Sequence, residues 1–453
     1  MRRISLFIAV MMTAAILLSV LSVPVSAISF APDFEVYSEA VYLLNLDTGE
    51  AIYQKNADQK MTPASLTKIM TAVLVLEQFQ NDIPALSTTY VSGSYECFDE
   101  LYMQGASTAD IRNGEKVSYK DLLYALMLRS ACEAANILAY NIAGSLQGFA
   151  DMMNLKAQQL GMTNTHFTNS HGLFWQDHYS TAHDLAILTQ YAMTLPMFTE
   201  ISCAATYEME ETSYHEKRLI SHTNSMMMKG SEYYYEYAKG IKTGTLDESG
   251  RCLASTAYKD GYSYLLITLN APQYDENGRP VMYNFIDHKN IYEWAFNNFE
   301  YTTLIAGTEE IAEVPVEYGD GVDYVIVRPD EEYSRIWSKR VPADSIHRVI
   351  DLKQNVIAPI KKGDVLGTME LQYGGETMAV IQLVATTDVG RSEQKEMLAV
   401  AQSFIGSSDF FNAAKYSIGF FLVYTLLIIV LKIVVARNNK KRAKSYSYNP
   451  RRR

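Results

Sequence analysis

The sequence predicts an α+β domain of helices packed on an antiparallel sheet, then a small all-β domain, then one transmembrane helix near the C-terminus. Three observations carry this. Strand-like runs stand at both ends of residues 28–300, with helical periodicities between them. Short β-rich runs separated by turn residues fill 303–395. The stretch 417–436 is apolar except for Lys432 and has the length of one membrane span.

In chain order, Arg2 and Arg3 precede an apolar run over 4–21, and Val25-Ser26-Ala27 offers a small-residue cleavage site. Residues 1–27 therefore read as a secretory signal peptide. The run also suits an uncleaved anchor, and the cleavage site favours removal. Residues 40–45 and 50–54 read as two strands around the turn Asp47-Thr48-Gly49. A helix is predicted to about Gln80, with Thr62 as N-cap and Pro63 as first helical residue. Ile69, Met70, Ala72, Val73, Val75 and Leu76 surround it with apolar groups, so it belongs inside a core. Residues 81–117 read as loops and short strands. Ser118-Tyr119-Lys120-Asp121 is a capping box for a helix that stops near Arg129. A second helix starts near Glu133, and a third covers about 148–160, ended by Gly161. Ser130-Ala131-Cys132 falls on the connection between the first two. Asn169-Ser170-His171-Gly172-Leu173 is a turn, and Ser180-Thr181 caps a helix to about Thr194. From Gly240 the β-branched and aromatic content rises. Residues 240–245, 252–257 and 262–270 read as adjacent antiparallel strands, closed by a helix over 285–299.

Residues 303–395 carry strand-like runs at 313–316, 324–327, 349–352, 368–371 and 379–383. Residues 396–416 read as a juxtamembrane helix or linker before the span at 417–436. The tail, 437–453, is strongly basic, which by the positive-inside rule makes it cytoplasmic and puts the rest outside. Lys432 lies near the end of the span and can snorkel. The run has no polar face, which argues against a helix lying in the interface. Of 39 Lys and Arg, two lie in the N-terminal run and nine from Lys432 onward, leaving 28 against 51 Asp and Glu between them. A surface this acidic argues against nucleic acid as a partner. Cys97, Cys132, Cys203 and Cys252 read mostly as free buried thiols, with one disulfide left open. No Cys or His spacing points to a metal, and no cofactor is expected.

The chemistry concentrates on Ser65 and Lys68. Three residues apart, they share one helix face, where a nucleophile and its base need to be. A buried lysine loses its proton more readily because desolvation disfavours the ammonium. The plainer reading is a capped core helix with a lysine reaching outward, and Ser-x-x-Lys alone supports no more. Two further pieces follow in order, Ser130-x-Cys132 and Lys242-Thr243-Gly244. With them the chain resembles the penicillin-recognising serine acyl-transferases, marked by Ser-x-x-Lys, Ser-x-Asn and Lys-Thr-Gly. Within that group it is similar to the low-molecular-mass D-alanyl-D-alanine carboxypeptidases. Local matches include Asp47-Thr48-Gly49, Asp121-Leu122-Leu123-Tyr124, Tyr179-Ser180-Thr181-Ala182, and residues 63–70, 161–173, 240–244 and 360–368. The resemblance covers about 40–395. It implies a β-lactamase/transpeptidase-like catalytic domain in a bacterial membrane protein. Its substrates would be peptidoglycan stem peptides ending in D-Ala-D-Ala, and β-lactams would be covalent inhibitors.

The resemblance also implies roles. Ser65 attacks the penultimate D-alanine carbonyl and becomes an acyl-enzyme, and Lys68 takes its proton. Ser130 relays a proton to the departing D-alanine. Lys242 and Thr243 bind the terminal carboxylate, and the N–H groups of Ser65 and Thr245 form the oxyanion hole. The chemistry agrees: a substrate ending in a carboxylate calls for a fixed cation, an edge strand can pair with an extended peptide, and Gly244 leaves room for that approach. Taken singly, Lys242 reads as an ordinary strand lysine; the ordered set reverses that. Lys68 and Lys242 in one cleft should repel and lower the pKa of Lys68. One departure stands out: Cys132 occupies the place of the motif's Asn, and a thiol donates and accepts only weakly. A slower or altered reaction is the expectation. A wall-peptide-binding protein without turnover is the alternative. A β-lactamase is disfavoured: no Glu-x-x-Leu-Asn stands between Ser130 and Lys242, and the nearest, Glu216-Lys217-Arg218-Leu219, is followed by Ile220. His171 reads as structural. Tyr233-Tyr234-Tyr235 and Tyr237 either line the cleft or cover the sheet edge.

Overall fold

The computed structural model describes residues 30–445, so the predicted signal peptide at 1–27 and the tail residues 446–453 lie outside the described part. By proximity of its Cα atoms the chain divides into two compact units. The first takes the chain up to Leu304, with Tyr333–His347 and Leu371–Ala379; the second takes Ile305–Glu332, Arg348–Glu370 and the chain from Val380.

The first unit is built on five antiparallel strands. These are β1 (Ala40–Asn45), β2 (Ala51–Lys55), β3 (Ala238–Leu246), β4 (Gly250–Lys259) and β5 (Tyr262–Ala271), in the order β2-β1-β5-β4-β3. Both faces are covered, which is why β1 is buried throughout and apolar from Ala40 to Leu44 rather than alternating. Tyr42 and Leu44 join one core with Ala254, Leu265 and Ile267, while Val41 and Leu43 join a second with Leu253, Tyr264 and Leu266. The first core is filled by α1 (Lys68–Phe79), α2 (Tyr119–Leu128), α3 (Cys132–Ala143), α4 (Leu146–Gln159) and α5 (Ala182–Met193). The second is closed by α6 (Tyr283–Asn298), whose Phe285, Ile291, Tyr292 and Phe296 pack on the sheet. The tyrosine run belongs to this second core: Tyr235 is buried against it, and Tyr233 packs on Phe285.

Helix starts follow the expected capping chemistry. Ser118 accepts from Asp121 N–H at α2, and Thr181 from Asp184 N–H at α5. The start of α1 differs from expectation. Thr62 does not cap it; a 3-10 turn, Ala64–Thr67, precedes α1, with no side-chain cap. Ala64 lies at φ +47°, outside the right-handed helical region, so no helix can run through it. From Lys68 to Leu76 every residue of α1 is buried.

In the C-terminal part, β6 (Phe299–Ile305) pairs with β9 (Tyr333–Ser338). The strand β9 has no counterpart in the sequence reading. Six further strands form one sheet: β7 (Ala312–Glu317), β8 (Tyr324–Pro329), β10 (His347–Leu352), β11 (Val356–Ile357), β12 (Val365–Tyr373) and β13 (Glu376–Ala385), ordered β10-β12-β13-β8-β7-β11. Alternating burial along β7 puts Val314 and Val316 inside. Helices α7 (Glu393–Ile405) and α8 (Ser408–Ser445) follow, and within α8 the stretch Ser408–Lys441 is long and apolar enough to cross a membrane.

Candidate active site

Ser65 sits in the 3-10 turn at the head of α1, and Lys68 begins the helix itself. Lys68 is wholly buried, and its Nζ lies 3.0 Å from Ser65 Oγ, 2.5 Å from the His171 carbonyl oxygen and 3.5 Å from Cys132 Sγ. Nζ can donate to all three. The carbonyl can only accept, whereas the Ser65 hydroxyl can also donate, so a neutral Lys68 would keep its two N–H groups on the carbonyl and the sulfur and turn its lone pair to Ser65. Burial lowers the Lys68 pKa, while Cys132 and Glu133 push it back up. Of the two expected causes, burial is the one that lowers the Lys68 pKa. Repulsion between the lysines shows on Lys242 instead, whose pKa falls well below its ordinary value through burial first and Lys68 second.

Ser130 stands between α2 and α3, buried, in the left-handed region at φ +60°. Such a conformation costs a serine energy and persists only where the surroundings hold it. Cys132, at the first turn of α3, donates its N–H to the Ser107 carbonyl, and its thiol also lies 3.8 Å from the Ser130 carbonyl oxygen. Glu133 accepts from the Thr108 hydroxyl and the Ala109 N–H, both at 2.7 Å, and so straps the 107–109 loop to the head of α3.

The Lys242-Thr243-Gly244-Thr245 run lies on β3, an edge strand of the sheet, just after a register irregularity between Lys239 and Lys242. Lys242 is fully buried. Among the described residues its Nζ has one hydrogen-bond partner, the Thr243 carbonyl at 3.0 Å, and no carboxylate pairs with it. The Thr243 hydroxyl lies 2.6 Å from that of Thr223. A Cβ on Gly244 would stand 3.1 Å from Ser65 N, so the strand passes directly beside the Ser65 amide. A cleft of about 220 Å³ opens here, lined by Ser65, Ser130, Thr243, Gly244, Thr245 and Arg251 among others, with Lys68, Cys132 and Lys242 buried around it. All eight residues singled out in the sequence converge on this place.

The D-alanyl-D-alanine carboxypeptidase family profile matches residues 26–273, and the profile of the penicillin-binding protein 5 C-terminal domain matches 299–391. The chain belongs to the D-alanyl-D-alanine carboxypeptidase family of serine peptidases. Among its relatives, the D-alanyl-D-alanine carboxypeptidase DacF of Bacillus subtilis is 28% identical, over 83% of this chain and 95% of the relative. The solved carboxypeptidase DacD of Francisella tularensis shares the fold, with a TM-score of 0.61 at 23% identity over 83% of this chain and 98% of that one. A Streptomyces DD-transpeptidase of known structure is 28% identical with a TM-score of 0.52, over 59% of this chain and 100% of that one. Solved variants of that enzyme replace a serine by alanine and, two positions on, a cysteine by asparagine.

Several residues that shape this candidate site were not assigned to it in the sequence reading, which took His171 as structural and left the others unmarked. His171 enters through its backbone carbonyl on Lys68, while its Nε2 lies 2.9 Å from Glu100 and its Nδ1 accepts from the Leu173 N–H. Gly172, at φ +82°, packs so tightly that a Cβ would stand 2.0 Å from the Ala64 carbonyl oxygen. The Asn-Ser-His-Gly-Leu turn was visible as a turn, but nothing local says that it packs on the Ala64–Ser65 segment. Asn224 donates to the Gly240 carbonyl at 2.6 Å, so it holds the entry of β3. Thr223 and Asn224 lie in a stretch with no periodicity to mark them. The four cysteines are all free.

Proposed function

We propose that this carboxypeptidase removes the terminal D-alanine from peptidoglycan stem pentapeptides through an acyl-enzyme on Ser65. The observation that carries the reading is Lys242. A buried lysine without a counter-ion is costly, and a substrate's terminal carboxylate would supply the missing charge beside the nucleophile. Lys68, its lone pair facing Ser65 Oγ, takes the hydroxyl proton as Oγ attacks the penultimate carbonyl. The oxyanion develops toward the N–H groups of Ser65 and Thr245, where Gly244 lets strand and substrate come close. Ser130 passes the proton to the leaving D-alanine nitrogen, and Thr243 joins Lys242 on the carboxylate. Water then attacks the acyl-enzyme, and Lys68 again takes the proton. The same Ser65 ester forms when a β-lactam ring opens on it. The test is D-alanine release from a peptide ending in D-Ala-D-Ala by the full chain in detergent, with Ser65→Ala beside it. Release that survives in the variant rejects Ser65 as nucleophile.

We further propose a single-pass bacterial membrane protein with its catalytic unit outside and its basic tail in the cytoplasm. The apolar stretch in α8 and the flanking Arg437, Lys440 and Lys441 support this topology. Deleting residues from 417 onward should release the protein from membranes; retention would contradict the anchor.

Ser130-x-Cys132 favours a second reading, transfer of the acyl group to an amine. The substitutions in the Streptomyces DD-transpeptidase variants place a serine and a cysteine at the same spacing in the parent enzyme. Adding an amino acceptor and finding only hydrolysis would reject it.

A further inference from the structure

The 169–173 turn has two sides. One props the Ser65 segment; the other walls a second and larger cavity, of about 510 Å³, that the reaction proposed above does not use. Trp175 and Phe174 stand at this cavity, 66% and 48% exposed. The chain has three tryptophans, and Trp294 and Trp337 are buried, so Trp175 alone spends its large apolar face on solvent. Such an exposed aromatic face beside a pocket marks a contact site. The lining also holds the amides of Gln104 and Gln147 and the carboxylates of Glu100 and Asp151, and no lysine or arginine. Its basic side chains are two histidines, and each is already engaged: His171 Nε2 on Glu100 and His166 Nδ1 on the Asp177 carbonyl. An anionic ligand therefore finds two carboxylates and no permanent cation here. A lone ammonium group fills only a small part of the volume. Each carboxylate already has one oxygen engaged: Glu100 Oε1 accepts from Asn136, and Asp151 Oδ1 accepts from Gln147.

We propose that this cavity is a saccharide subsite for uncharged pyranose units. The C–H face of a sugar ring packs on an aromatic plane, and its hydroxyls both donate and accept, which suits carboxylates and amides side by side. The proposal rests on the reading of the substrate as a peptidoglycan stem peptide, because that peptide is carried on a glycan. The glycan would bind in this cavity while the peptide occupies the cleft beyond the shared turn. The contact with the reaction centre is short: Glu100 at the cavity holds the His171 ring, and the His171 carbonyl holds Lys68.

The test uses the full chain in detergent and two kinds of readout. Di-N-acetylchitobiose, a neutral saccharide without peptide, should change the Trp175 fluorescence saturably. Equilibrium dialysis of the labelled sugar should show the binding lost in Trp175→Ala. In D-alanine release, a disaccharide-linked pentapeptide should have a KM about fivefold below that of the free peptide. Trp175→Ala should erase that difference and leave kcat/KM for the free peptide unchanged. Equal KM values in the wild type, or a preference that persists in Trp175→Ala, would overturn the proposal. So would displacement of the sugar by lower concentrations of a simple diamine, which would assign the cavity to a cation. Sugar binding without release from either peptide would support the cavity and reject the substrate reading, whereas release without sugar binding would reject the cavity alone.

Discussion

Lys68 Nζ and Cys132 Sγ face each other at 3.5 Å, so the amine beside the Ser65 hydroxyl is held on one side by a thiol. An amide in that position would accept from Lys68 and donate toward substrate at once; a thiol does both weakly. Cys132→Asn should therefore raise the rate of D-alanine release, by about fivefold for one hydrogen bond strengthened by ~1 kcal/mol. A large fall in kcat would show that the thiol has a role of its own.

Lys68 must be neutral to take the Ser65 proton, and its lowered pKa brings that state toward neutral pH. Acylation by a β-lactam should rise with pH through the lowered lysine pKa. Lys68→Arg keeps the charge but cannot give up its proton. Acylation in that variant should fall by roughly 10²–10⁴-fold and lose the pH-dependent limb. Stopped-flow measurement of labelling at several pH values checks both.

Lys242 in the free protein has its pKa pushed well down by burial and by Lys68. A bound carboxylate raises it again, so binding a peptide carboxylate should take up about one proton where the lysine is neutral in the free protein. Affinity then falls as pH rises above the free-state pKa. Titration calorimetry of Ser65→Ala with a D-Ala-D-Ala peptide, in buffers of different ionisation enthalpy, measures the uptake directly. Binding without proton exchange would contradict the assignment.

Gly172→Ala places a methyl 2.0 Å from the Ala64 carbonyl oxygen in a backbone held at φ +82°. It should destabilise the fold by about 3 kcal/mol or more, read as a lower denaturant midpoint. Gly244→Ala meets Ser65 N at 3.1 Å and Ala64 Cβ at 3.0 Å, so small shifts can relieve it. Its expected effect is on rate: about 10²-fold slower acylation with a near-native midpoint.

Buried histidines set the acid limit of stability. His178 is driven down to about 3, and His222 to about 4, in both cases by burial first. His178 Nδ1 accepts from the Thr168 N–H, so its proton sits on Nε2, which donates to Thr67 Oγ1. Both rings stay neutral in the fold while the unfolded chain protonates near pH 6.5. The fold is therefore fully stable above that pH and loses about 2 kcal/mol per ring by pH 5. Denaturant melts from pH 7 to 5 should show the loss, and His178→Gln should flatten it.

Much of this was legible in local chemistry. The caps at Ser118 and Thr181, the strands of the sheet and the mostly apolar α1 follow from periodicity and capping, because those interactions lie within a few residues of sequence. The ordered set Ser65-x-x-Lys68, Ser130-x-Cys132 and Lys242-Thr243-Gly244 pointed to one cleft, and the structure brings its members together. The start of α1 was misread, because Thr62 and Pro63 are good local starters. What overrides them is Ala64, wedged between Gly172 and Gly244, residues more than a hundred positions away.

By itself, then, the sequence determined the elements, the candidate nucleophile with its base, and the family the chain resembles. Only the tertiary structure decided that Lys68 is saturated by Ser65, Cys132 and the His171 carbonyl, that Lys242 is buried without a counter-ion, and that a second cavity shares the turn beside them. The reason is range. Capping and periodicity act between near neighbours in the chain, whereas desolvation and close packing depend on whatever distant segments arrive to exclude water.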